Sequence, residues 1–303
     1  MVKVFAPATI GNVGPGFDVL GMAFSSMGDI ITVELTGNNS YIDSIVGRDA
    51  QKIPMDAKKN CAIIAAEAML RNKGINKGVK ISIEKSLPVA GGLGASAASC
   101  VGGAMGAAAA ANLEVSNEEI MIAALEGEEK VAGRHLDNIA PCLFGGFTLV
   151  LSEAPPQVYS LPFKNDWWVC IFTPKCEIET KKAREVLPKQ LTTKTWVNQM
   201  RNAIGLVSAF SLGDVNLARA SLVDYFSEPY RSHLIDDFGI IKNIMSDNNA
   251  IGSSISGSGP TIFALFEKKA QAESCKTSLE NQFPKQSSSI CIGEAATKGA
   301  YIL

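Results

Sequence analysis

The run Leu87-Pro88-Val89-Ala90-Gly91-Gly92-Leu93-Gly94-Ala95-Ser96-Ala97-Ala98 is made almost wholly of small residues and leads into an alanine-rich stretch. Such a run can cradle an anion. Glycines let backbone N–H groups approach phosphate oxygens closely, a helix N-terminus adds partial positive charge, and the Ser96 hydroxyl can reach a phosphate or its cation. Lys85, just upstream, offers a full positive charge. The alternative is a strand-to-helix turn whose glycines serve close packing alone. Two familiar phosphate signatures fit poorly. No lysine follows the last glycine, as G-x-x-x-x-G-K-[ST] requires. A dinucleotide fingerprint laid over 92–97 lacks an acidic residue at a strand end about 20 positions on, because Glu114 follows a helix.

A loop of this kind works only if rigid elements hold it. Alternating or β-branched apolar residues predict strands over 2–5, 32–35, 79–84, 145–151, 168–172, 261–266 and 289–292. Helical spacing predicts helices over 60–73, from the glycine loop to 113, and over 118–131, 197–212, 215–223, 235–245 and 270–282. Pro7, Gly11, Gly14, Pro15 and Gly16 mark 6–16 as a loop. Ala154-Pro155-Pro156 makes a break at which we place a boundary between domains 1–155 and 156–303. The pattern is α+β, with no internal repeat.

Composition narrows the class of protein. At 303 residues, against a prior of roughly 150 per domain, two domains or one large one are expected. With 47% hydrophobic and 19% charged residues the chain is too apolar for disorder. A formal net charge of -2 provides no basic field for nucleic acid or anionic lipid, so neither is expected as a partner. The seven cysteines are scattered, without C-x-x-C spacing, which suits a reducing, cytoplasmic setting. The apolar stretch 97–111 is alanine and glycine and falls short of the ~20 residues that span a bilayer. The early prolines and glycines also interrupt any secretory signal.

Two segments far from the glycine loop carry a family resemblance. Ala6-Pro7-Ala8-Thr9-Ile10-Gly11-Asn12-Val13-Gly14-Pro15-Gly16-Phe17-Asp18-Val19-Leu20-Gly21 resembles the opening motif of homoserine kinases. Ile255-Ser256-Gly257-Ser258-Gly259-Pro260-Thr261 resembles the third, glycine-rich motif of the wider GHMP kinase superfamily, and 88–98 stands between them as the second. His135-Leu136-Asp137-Asn138-Ile139-Ala140-Pro141 and Ser227-Glu228-Pro229-Tyr230-Arg231 are also similar to homoserine kinase segments. The resemblance implies an α+β, two-domain GHMP kinase fold. Its N-terminal α/β domain would contain a left-handed β-α-β crossover, its C-terminal domain would be ferredoxin-like, and the active site would lie between them. General chain rules would give the opposite hand, since about 98% of parallel crossovers are right-handed. The implied reaction is ATP-dependent phosphorylation of the L-homoserine hydroxyl to O-phospho-L-homoserine, with Mg2+, on the threonine pathway.

Phosphoryl transfer relies on positioning and preorganised charge, so the site residues should be clamps. The resemblance points to Arg184 and Arg231 for the substrate carboxylate, where a guanidinium fork binds bidentately. It points to Asp18 with Asn12 for the ammonium, and to Thr180 for a further hydroxyl contact. A turn-stabilising role is the alternative for Asp18. His135, Asp137 and Asn138 fall near the reacting hydroxyl, with Asn138 as its positioning ligand. Thr9 and Ile10 stand where some relatives carry a lysine, and homoserine kinases resemble enzymes that polarise the hydroxyl without a dedicated base. Glu128 with Ser96 is the implied Mg2+ pair, with Glu126 a register alternative. ATP is expected along Lys85 and the whole of 88–98, at Gly257, Ser258 and Gly259, and at Asn60, which is equally suited to be a helix N-cap. The chain departs from the usual second motif at Ala90, which adds a Cβ, and at Ala95, which removes a hydroxyl. Rival readings are a GHMP kinase acting on mevalonate, shikimate or a sugar, a non-catalytic metabolite-binding member, and a dehydrogenase. Homodimers are common for this fold, and the sequence does not itself fix the oligomeric state.

Overall fold

The computed structural model describes residues 1–163, 166–284 and 288–303. The chain starts with two long antiparallel strands, β1 (Val2–Gly11) and β2 (Leu20–Leu35), and an edge strand β3 (Tyr41–Gly47). Helix α1 (Cys61–Asn72) crosses over to β4 (Val79–Lys85), which lies parallel to β3. Then follow α2 (Ala95–Ala110), α3 (Asn117–Val131), α4 (Ile139–Phe144), β5 (Phe147–Glu153) and β6 (Pro156–Leu161). These strands form one sheet in the order β11-β1-β2-β4-β3, with β5 on β2 and β6 on β5; β11 (Tyr301–Ile302) is the last element of the chain.

The second sheet holds β7 (Trp168–Pro174), β8 (Gly252–Ile255), β9 (Ile262–Phe266) and β10 (Ser288–Glu294). Between β7 and β8 run α5 (Thr180–Glu185), α6 (Thr193–Leu212), α7 (Val215–Ser221), α8 (Glu228–Arg231) and α9 (Phe238–Asp247); α10 (Lys269–Gln282) links β9 to β10. The order β10-β7-β9-β8, all antiparallel, with helices after the first and third strands, is the ferredoxin-like arrangement. The mixed α+β expectation therefore holds for both halves. Residues of β6 and β11, which lie beyond the boundary set at 155, hydrogen-bond into the first sheet.

Small residues explain how α2 comes to lie at the centre of the first half. It packs on β1 and β2 with one side and on α1 and α3 with the other. A Cβ on Gly103 would come within 2.3 Å of the Ala62 carbonyl oxygen, so the α1 backbone approaches α2 more closely than any larger side chain allows. Helix α1 begins at Asn60, whose side chain accepts from the Ala62 amide at 3.0 Å, and α3 begins with a reciprocal capping box between Ser116 and Glu119.

The loop expected over 6–16 is in large part strand. Pro7 is tolerated because the β1–β2 register slips at Pro7/Ala8, a bulge where a missing N–H costs no ladder bond. Strand β2 extends well past the short run 32–35 because it changes partner, from β5 at Leu20–Met22 to β4 at Ile30–Leu35. Of the motif, residues 12–19 form the turn between the two strands.

Candidate active site

The glycine run leaves β4 and enters α2 through Gly94, whose φ of +65° lies in the left-handed region. A Cβ there would fall 1.9 Å from the Thr9 hydroxyl. Position 94 thus requires glycine both for its φ and for the close approach of β1. Loop and β1 are joined by the Thr9 amide donating to the Leu93 carbonyl at 3.1 Å. On the other side the turn after β8 grips the loop: the Ser256 hydroxyl donates to the Gly92 carbonyl at 2.6 Å and the Thr261 hydroxyl to the Gly91 carbonyl at 2.5 Å. Ala90 sits at φ +51°, a conformation that costs a residue with a Cβ and that the surrounding contacts must hold. Its carbonyl accepts from the Ile178 amide at 3.4 Å.

These elements enclose a cleft of about 420 Å³. Lys85, Pro88, Val89, Ala90, Gly91, Gly92, Gly94, Ala95 and Ser96 border it, as do Gly257 and Ser258 from the second half of the chain. Leu93, Ala97 and Ala98 are instead buried beneath the loop. Lys85 is not a free charge: its ammonium pairs with Asp29, both side chains being buried, and also reaches the Ala95 carbonyl at 3.4 Å. Asp29 in turn accepts from the Ser86 and Leu87 amides at 2.9 and 3.0 Å, so this pair braces the base of the loop. Asn60 is buried and spends its amide on the α1 cap and on the Pro54 carbonyl at 2.9 Å. It thereby shapes the 52–54 segment, which does border the cleft.

At the start of α2 the Ser96 hydroxyl donates to Glu128 Oε1 at 2.8 Å. Burial pushes the Glu128 carboxyl up to about 7, against the hydrogen bonds from Ser96 and Cys100. The pair offers a hydroxyl and one carboxylate, hard oxygen donors suited to Mg2+. Among the described residues no cluster of three or more His, Cys, Asp or Glu could hold a cation, so this is a partial donor set of the kind that phosphates and waters complete. Glu126, the register alternative, pairs with Arg71 on the surface.

The far end of the cleft is charged. Asp18 and Arg184 form a bidentate ion pair, with Nη1 and Nη2 of Arg184 donating to the two Asp18 oxygens at 2.9 and 3.0 Å. The Arg184 Nε is buried and is the one such side-chain nitrogen without a partner among the described residues. Arg231 is 2% exposed and donates from Nε to the Ala183 carbonyl at 3.0 Å and from Nη1 to the Gly257 carbonyl at 2.8 Å. Asn12 donates to the same Gly257 carbonyl at 2.9 Å and accepts from the Asp18 amide at 2.9 Å. Thr180, the first residue of α5, borders the same space. Sequence reasoning missed Phe17: the guanidinium carbons of Arg184 and Arg231 lie over its ring, 5.3 and 5.1 Å from the centroid.

Between the two ends lie His135, Asp137 and Asn138. The Thr9 hydroxyl donates to Asn138 Oδ1 at 2.8 Å and fixes that amide. Asp137 is buried, and its carboxyl is pushed up to about 7 by burial first and then by the charges of Asp18 and Glu128, against Arg184 and a hydrogen bond from Asn138. His135 pairs through Nδ1 with Glu153 at 3.3 Å.

Comparison with known proteins follows the same lines. The family model described as GHMP kinases N terminal domain matches residues 60–146, and that described as GHMP kinases C terminal matches 206–285. A homoserine kinase of Methanococcus maripaludis is 38% identical, with 88% of each chain covered. One of Chlorobium phaeobacteroides is 34% identical over 100% of this chain and 99% of its own. The chain belongs to the homoserine kinase family of the GHMP kinases. A crystal structure of a homoserine kinase from Cytophaga hutchinsonii superposes with a TM-score of 0.94 at 38% identity, covering 100% of this chain and 97% of that one. At 15% identity, a mevalonate kinase of Leishmania major shares the fold with a TM-score of 0.73 over 97% of this chain and 96% of that one. As a member of this family the chain is a kinase with the two-domain GHMP architecture.

Proposed function

We propose that this chain transfers the γ-phosphoryl group of ATP to the hydroxyl of L-homoserine, giving O-phospho-L-homoserine, a step toward threonine. One observation carries the choice of acceptor. The anionic Asp18 and the cationic Arg184 and Arg231 meet at one end of a cleft whose other end is a glycine loop at a helix N-terminus. A small zwitterion bearing one hydroxyl matches that charge pattern. Mevalonate and shikimate carry a carboxylate but no ammonium, and sugars carry neither.

In this reading Asp18, oriented through its amide by Asn12, takes the ammonium, and Arg184 and Arg231 take the carboxylate. The unpartnered Nε of Arg184 supports that role, since a buried guanidinium N–H without an acceptor is costly until one arrives. Asn138, fixed by Thr9, orients the hydroxyl in line with the γ-phosphorus. The loop amides and the α2 N-terminus hold the phosphates. Ser96 and Glu128 would hold Mg2+, which supplies charge neutralisation at the phosphates. A cytoplasmic location belongs to the same proposal, supported by seven free cysteines; no helix among the described residues is long and apolar enough to cross a membrane. The homodimer is also part of it, checked by sedimentation.

The test is ADP release with Mg·ATP across L-homoserine, L-serine, L-threonine, mevalonate and shikimate, repeated with Arg184→Met. Turnover of homoserine far above the others, with a KM for homoserine raised at least about tenfold in the variant, is the expected result, as loss of a charged hydrogen-bonding pair implies. Preference for another acceptor refutes the assignment.

A further inference from the structure

We infer that Phe17 is a positioning residue for the acceptor's carboxylate, its ring holding the Arg184 and Arg231 guanidiniums side by side at one end of the cleft. The inference rests on the homoserine reading above. Two like charges do not share a confined space without help. Beyond burial, the charge of Arg184 disfavours ionisation of Arg231, while Asp18 favours it. An aromatic face carries negative quadrupole density and attracts both cations, each lying within the ~6 Å over which such attraction operates. The ring is itself fixed: Phe226 meets it edge-on at a centroid distance of 4.8 Å and an interplanar angle of 86°. Phe226 is tied in turn by its amide to Asp224 at 2.8 Å.

The two guanidiniums depend on the ring to different degrees. Arg231 is anchored by two backbone carbonyls. The Arg184 guanidinium has no hydrogen-bonding partner other than Asp18 among the described residues, and its Nε has none. When an incoming ammonium takes Asp18, the guanidinium loses that partner; the charges of Asp137 and Glu153 still attract it, and the Phe17 face is the packed contact that keeps its fork oriented beside Arg231. Phe17 and Asp18 are adjacent in the chain, so one turn supplies both the ring that stays and the carboxylate that is exchanged. Phe17 does not itself border the cleft, so its effect passes through the arginines.

The experiment reads the split between KM values. Phenylalanine at position 17 is replaced by its 4-fluoro, 3,5-difluoro and pentafluoro analogues, which drain the ring's negative face with little change of shape, alongside Phe17→Leu and Phe17→Tyr. The expected outcome is a stepwise rise in KM for L-homoserine, reaching about tenfold for the pentafluoro ring and for Leu, with kcat and KM for ATP within about twofold of wild type and Tyr close to wild type. A flat fluorine series, or KM for ATP rising in parallel with that for homoserine, overturns the inference. Should the Leu variant fail to fold, the near-isosteric fluorinated chains decide. The wild-type arm separates the two readings: no turnover of homoserine by wild type overturns the functional proposal and this inference together, whereas normal wild-type turnover with a flat series overturns the role of Phe17 alone.

Discussion

Asp137 shows at the scale of one side chain how a site departs from what folding alone would select. Burial and two neighbouring carboxylates hold its carboxyl near 7, above its value in an unfolded chain. The folded state therefore binds the extra proton between about pH 4 and 7, and stability falls as pH rises through that window. Asp137→Asn removes the loss. The ligand-free variant should be more stable than wild type at pH 8, by up to about 4 kcal/mol, and indistinguishable at pH 4, as read by urea unfolding at each pH. Other residues show where sequence reasoning stops. Lys85 reads as a free charge beside the loop, but its partner Asp29 lies 56 positions away and no local pattern announces the pair. Asn60 satisfies the capping reading in full. Phe17 stands inside a quoted motif, yet an apolar side chain between Gly16 and Asp18 gives no sign of the two arginines that the fold brings to it from α5 and α8.

Among elements, the helices are the ones the sequence predicts best: α1, α3 and α10 lie within a few residues of their expected spans. Strands with mixed faces are missed. β3 is an exposed edge whose apolar residues do not alternate, β6 starts at a proline, and β8 has only four residues with two serines, so none carries a sustained alternation. The strand-to-helix junction at Gly94 is the element-level feature on which catalysis should depend most. Gly94→Ala places a Cβ against Thr9 at a left-handed φ, which displaces the hydroxyl that fixes Asn138 as well as the first turn of α2. Steady-state assays should show kcat/KM reduced by roughly a hundredfold, because sub-ångström placement of clamps is what such a site provides. An unchanged rate would mean that the loop can relax without loss.

On the scale of the whole molecule the cleft belongs to neither sheet. The first contributes the loop, Asp137 and Asn138; the second contributes the turn after β8, whose Ser256 and Thr261 hydroxyls hold two loop carbonyls. Thr261 is buried and also meets Thr173 at 2.8 Å, so a single hydroxyl links β7, β9 and the phosphate loop. Thr261→Val leaves the buried Gly91 carbonyl with the Thr261 amide alone, at 3.3 Å, and leaves the buried Thr173 hydroxyl without its partner, and KM for ATP should rise several-fold while KM for the acceptor holds, as the loss of a net hydrogen bond of about 1 kcal/mol implies. Equal rises in both constants would count against the division of the cleft drawn above.

The ion pair between Asp18 and Arg184 has a kinetic consequence. With no ligand bound, the carboxylate and the guanidinium that a zwitterion needs are already engaged with each other across two hydrogen bonds. Capture of such a molecule is therefore an exchange rather than an addition. Adding more of it speeds the encounter only up to a ceiling, set by how often the internal link lets go.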